Sequence, residues 1–80
     1  MTHEEIYQKV SEILIAYLRL DPSEIAPDKH IVNDIGADSL AMVELGFKFS
    51  EAFGIGMMTP TDDNMVIGNL VGQIEKEMKP

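Results

Sequence analysis

Three stretches of this chain repeat apolar residues with the period of a helix, and no stretch alternates with the period of a strand. Ile6, Val10, Ile13, Leu14 and Tyr17 are spaced by four, three, one and three. That spacing puts them on one face of a helix from His3 to Leu18. A second helix is expected from Ser39 to Phe53. Leu40, Val43, Phe47 and Ser50 form one stripe along it, and Met42, Leu45, Phe49 and Phe53 form a neighbouring one. That apolar surface is wider than a single core face needs, so part of it should be exposed, as partner sites often are. The third helix is expected from Val66 to Met78, with Ile67, Leu70, Val71, Ile74 and Met78 at helical spacing. The fold class that follows is all-α: a small bundle of three main helices with a long first loop.

Local signals place the ends of these elements. Thr2 followed by Glu5 has the pattern of a capping box. Asp21 and Pro22 are expected to stop the first helix. Asp38 is a good N-cap for the second, and Gly54 with Gly56 should end it. The connection from Leu20 to Gly36 holds Pro22 and Pro27 and only scattered apolar residues, which we read as pegs tying the loop to the bundle. The segment from Met57 to Asn64 reads as a loop with room for one short turn, a fourth helix at most. Gly68 and Gly72 lie four apart in the last helix. Each lowers helix propensity by about 1 kcal/mol relative to alanine, and each either permits a close approach or loosens the helix.

With 80 residues the chain is expected to be one domain, residues 1–80. A domain of that size has a thin core and little room for a catalytic cleft. Having no cysteine, the chain offers no disulfide, thiolate zinc site or thiol nucleophile. His3 and His30 have no companions at ligand spacing, so no metal site is expected. No apolar run approaches the roughly 20 residues that span a bilayer, and a cytoplasmic monomer without membrane insertion is the simplest expectation. Six Lys and Arg against fourteen Asp and Glu give a net charge of −8. Such a surface repels nucleic acid and attracts partners with basic patches.

The residues that suggest chemistry are Gly36-Ala37-Asp38-Ser39-Leu40. A flexible glycine and an acidic cap precede a serine in the first turn of a helix. There its hydroxyl is exposed at a fixed place, on the helix end that favours phosphate. Taken alone, the pentapeptide is also what an ordinary capped helix start looks like.

The wider pattern Asp34-Ile35-Gly36-Ala37-Asp38-Ser39-Leu40, then Val43-Glu44-Leu45 and Phe53, resembles the acyl carrier proteins. The resemblance runs through nearly the whole chain and is strongest from Ile35 to Phe53. It implies that Ser39 carries 4′-phosphopantetheine, attached from coenzyme A by a phosphopantetheinyl transferase. The arm would hold acyl groups as thioesters for fatty-acid, polyketide or specialised lipid synthesis. It further implies that the chain is a carrier and not an enzyme. Asp38, Leu40, Glu44, Phe47 and Glu51 would contact transferases, acyltransferases or synthases bearing basic patches. Ala41 stands where fatty-acid carriers often have an acid, and Lys48 adds a positive charge to the same helix. An acyl chain is expected to lie between the second and last helices against Val43, Phe47, Ile67, Leu70 and Ile74, with Met57 or Met58 at one end. A peptidyl carrier, or a helical interaction module with no prosthetic group, are the alternatives.

Overall fold

The computed structural model describes residues 2–56 and 65–78. Among them the helices are α1 (His3–Leu18), α2 (Ser39–Phe53) and α3 (Ile67–Glu77), and no strand forms. The fold is the all-α bundle expected from the three apolar stripes. Met57, Met58 and the short turn considered before Asn64 lie outside the described residues.

α1 begins where the capping box places it. The Thr2 hydroxyl accepts from the Glu5 backbone N–H at 3.2 Å, and the Glu5 carboxylate accepts from the Thr2 N–H at 2.8 Å. Hydrogen bonding of the Glu5 carboxylate to the Thr2 backbone N–H, and then to the Thr2 hydroxyl, holds the Glu5 carboxyl below its ordinary pKa. The helix does not wait for Asp21 and Pro22 to stop it. Arg19 turns into the left-handed region at φ 56°, and the N–H groups of Arg19 and Leu20 both reach the Ile15 carbonyl. Asp21 instead caps a short 3₁₀ turn over Pro22–Glu24, with Ser23 N–H donating to its carboxylate at 3.0 Å.

The first loop is held chiefly by its backbone. Ile31 is fully buried, while Leu20, Ile25 and Ile35 pack at the edge of the core. The ring of His30 organises the turn that follows it: its Nδ1 accepts from the N–H groups of Val32 and Asn33 at 3.1 and 3.0 Å. His30 also pairs with Val66 in a single antiparallel bridge, with Ile31 N–H donating to the Met65 carbonyl at 2.8 Å and Ile67 N–H to that of Lys29 at 3.0 Å.

That bridge explains how α3 starts. Its N-cap, Val66, offers no side-chain acceptor. The amides left over at a helix start need partners, and the loop carbonyls of Lys29 and Pro27 supply them, Gly68 N–H meeting the Pro27 carbonyl at 2.8 Å. A Cβ on Gly68 would sit 3.0 Å from that same oxygen, whereas one on Gly72 would meet nothing within 4 Å. Gly68 therefore permits a close approach, and Gly72 only lowers helix propensity.

α1 packs against both other helices, while α2 and α3 approach each other sparsely. The core joins Ile6, Val10 and Leu14 of α1 to Leu45, Phe49 and Phe53 of α2 and to Ile67, Leu70, Val71 and Ile74 of α3. Of the two apolar stripes on α2, the one through Leu45, Phe49 and Phe53 turns inward, joined by Ala41. The one through Leu40, Val43 and Phe47 turns outward, at 68%, 49% and 55% exposure.

Candidate functional site

Ser39 is the first residue of α2, and its side chain is exposed. The chain reaches it through Gly36, which turns at φ +92°, and through Ala37, which is buried and pins the approach to the core. Ala37 N–H also bonds back to the Ile31 carbonyl at 3.0 Å, closing the end of the loop on itself. Asp38 then caps α2, its carboxylate accepting from the Ala41 N–H at 2.8 Å. The Asp38 charge is thus directed along the first turn of its own helix.

These residues fit a phosphodiester-linked arm. The Ser39 hydroxyl stands on a rigid element, open to solvent, at the helix end whose dipole favours a phosphate. No thiol in the chain competes with one carried on an arm.

Beyond Ser39, α2 presents Leu40, Val43 and Phe47 outward as a continuous apolar strip. Glu44 and Glu51 are exposed and face α1, Glu44 through the Tyr17 hydroxyl and Glu51 across the groove that Ile13 and Tyr17 also line. All five residues expected to contact partners, Asp38, Leu40, Glu44, Phe47 and Glu51, therefore reach the solvent side of α2. The five expected to line an acyl chain are divided. Val43 and Phe47 lie on the outside of α2, whereas Ile67, Leu70 and Ile74 are in the core. They do not line one surface here, because the inward face of α2 is the other stripe.

The sequence pattern did not reveal a cluster at the α1 edge of this face. The Tyr17 hydroxyl donates to Glu44, a bond that raises the Tyr17 pKa above its ordinary value. The Lys48 ammonium lies 5.3 Å from the centre of the Tyr17 ring, within cation–π range. Tyr17 and Lys48, with Arg19, Glu51, Ile13 and Ala52, border an open groove of about 650 Å³ between α1 and α2. Tyr17 closes the apolar stripe of α1 and so reads as core. The only sequence trace of the cluster is the four-residue spacing of Glu44 and Lys48. Among the described residues no helix is long and apolar enough to cross a membrane.

Comparison with known proteins gives the family. The phosphopantetheine attachment site family matches residues 8–74. The chain is 41% identical over 70 residues to an acyl carrier protein of Guillardia theta, covering 88% of this chain and 84% of that one. It is 32% identical over 78 residues to an acyl carrier protein of Thermotoga maritima, covering 96% of each. It is 34% identical over 79 residues to a meromycolate extension acyl carrier protein of Mycobacterium tuberculosis, covering 95% of this chain and 67% of that one. The match of residues 8–74 to the phosphopantetheine attachment site family, together with relatives of this identity and coverage, places the chain in the acyl carrier protein family.

Proposed function

We propose that Ser39 is the attachment point of 4′-phosphopantetheine in this acyl carrier, and that a phosphopantetheinyl transferase modifies it. The observation that carries the reading is the exposed Ser39 hydroxyl in the first turn of α2, behind the Asp38 cap. In the transfer, the Ser39 oxygen forms a bond to the phosphorus bearing the pantetheine of coenzyme A. The phosphoanhydride bond breaks, and the 3′,5′-bisphosphate of adenosine leaves. The serine proton passes to a base on the transferase. When bound, the arm supplies a thiol that holds the acyl cargo as a thioester.

Within this reading the chain's own residues orient and present. Gly36 and Ala37 fix the approach to the serine, and Asp38 holds the helix start. Leu40 and Phe47 offer apolar contacts to acyltransferases and synthases of fatty-acid or related synthesis, while Asp38 and Glu51, with Glu44 where the Tyr17 hydroxyl yields it, face their basic patches. We place the protein in the cytoplasm as a monomer. The seam between α2 and α3 is where we expect cargo to shelter, because those helices approach each other sparsely. An acyl chain entering there must displace core side chains such as Leu70 and Ile74, against a gain of about 0.8 kcal/mol per methylene buried.

Intact mass after incubation with coenzyme A and a transferase tests the assignment. Wild type should gain one arm, and Ser39→Ala should gain none. A modified Ser39→Ala, or an unmodified wild type, refutes it.

A further inference from the structure

The middle of the outward face of α2 is already engaged by α1. Glu44 sits beside the strip of Leu40, Val43 and Phe47, where a cation on a partner would look for it, yet its carboxylate accepts the Tyr17 hydroxyl. Lys48, one helical turn from Glu44, lies over the Tyr17 ring. Lys48 also shares a shallow depression with Glu44, Phe47 and Glu51. The two acidic residues of this patch are therefore partnered or flanked by a cation within the carrier itself.

We infer that Tyr17 is a specificity-determining residue of the docking face, withholding Glu44 from partners that recognise carriers by a broad basic patch. This rests on the reading of α2 as the docking face for the transferase. A basic side chain bonding Oε2 of Glu44 must compete with the Tyr17 hydroxyl, and one reaching Oε1 meets a carboxylate whose charge that hydroxyl already partly satisfies. The carrier consequently favours partners that accept the Leu40, Val43 and Phe47 strip in an apolar pocket and place few cations beside it. A partner relying on a wide field of lysines meets Lys48 and Arg19 at the groove edge, and like charges raise the cost of that encounter. The elevated Tyr17 pKa is consistent with a hydroxyl that keeps its proton to hold the carboxylate. Discrimination in this scheme comes from an intramolecular competitor, in addition to the contacts offered to the partner.

Steady-state phosphopantetheinylation by a purified transferase with a basic carrier-binding face tests this. The variants are Tyr17→Phe, Glu44→Gln and the double substitution, measured at low and moderate salt. Tyr17→Phe keeps the ring that Lys48 covers and removes only the donor. It should lower KM for the carrier by about two- to fivefold, the range typical of an exposed charged contact, with kcat unchanged. The gain should shrink as salt rises and should vanish in the Glu44→Gln background. A structural role alone would move the thermal midpoint without this split between KM and kcat. An unchanged or raised KM in Tyr17→Phe, or a gain that persists without Glu44, overturns the inference while leaving Ser39 as the attachment site. A wild type that never gains the arm overturns both.

Discussion

Exchanging each glycine of α3 for alanine should move stability in opposite directions. In isolation, either substitution stabilises by about 0.4–1 kcal/mol, because alanine loses less backbone freedom on folding. At Gly72 nothing opposes that gain, since a Cβ there meets open space. At Gly68 the new Cβ falls 3.0 Å from the Pro27 carbonyl oxygen, a backbone atom that itself accepts the Gly68 N–H at 2.8 Å. Relieving the contact means moving the loop away and stretching that bond, a loss of about 0.5–1.5 kcal/mol. The Lys29 to Ile67 and Met65 to Ile31 bonds of the same clasp share the strain. Position 68 also lies at the start of α3, where propensity contributes least. The two variants should therefore differ by about 1–2.5 kcal/mol, with Gly72→Ala above wild type and Gly68→Ala below it. Urea denaturation followed by far-ultraviolet circular dichroism measures this through the midpoints at constant slope. For a domain of this size the same difference appears as several degrees in thermal midpoint. If Gly68→Ala proves as stabilising as Gly72→Ala, the clasp does not hold the start of α3 as described.

Other consequences follow from the same contacts. Asp38→Ala removes the cap of α2 and should cost about 1 kcal/mol by denaturant melt, with slower arm attachment because Ser39 sits on the frayed turn. Glu5 has a folded-state pKa below its ordinary value, so its contribution is present above the usual carboxylate range and is lost as pH falls through the lowered value. The stability gap between wild type and Glu5→Gln should therefore close in acid, and a gap that stays constant with pH would contradict the capping box. A net charge of −8 should make the thermal midpoint rise with added salt, and a midpoint that does not rise would show that self-repulsion is unimportant here.

The helices were legible because their apolar residues repeat at helical spacing and their starts carry short polar caps. Thr2 with Glu5 and Asp38 before Ser39 mark real ends for this reason. The end of α1 at Leu18 was legible but its means was not, because an arginine at φ 56° ends it, and nothing in residue type announces a non-glycine in that conformation. On α2 both apolar stripes looked equally suited to the core. The small Ala41 adds a further buried position to the stripe through Leu45 and Phe49, and that asymmetry went unread. Val43 and Phe47, expected among the acyl-chain residues, are exposed, whereas Ile67, Leu70 and Ile74 are buried. The clasp of the first loop on α3 runs through the carbonyls of Pro27 and Lys29, and backbone bonds leave little trace in side-chain pattern. Gly68 was its one visible sign, readable equally as a loose point in the helix. For the proposed site, the exposed helix-start position of Ser39 was legible, whereas the Tyr17 contact depends on how α1 lies against α2.

The most direct test of the central claim is to load the arm-bearing protein with an acyl group and ask where the group sits. Because the chain has no cysteine, an acyl thioester on it can form only on the arm. Intact mass of the protein treated with an acyl-activating enzyme should show one added acyl group. Neutral hydroxylamine should remove it, and fragmentation should place arm and cargo together on Ser39. Acylation that resists hydroxylamine, or that persists in Ser39→Ala, would contradict the account.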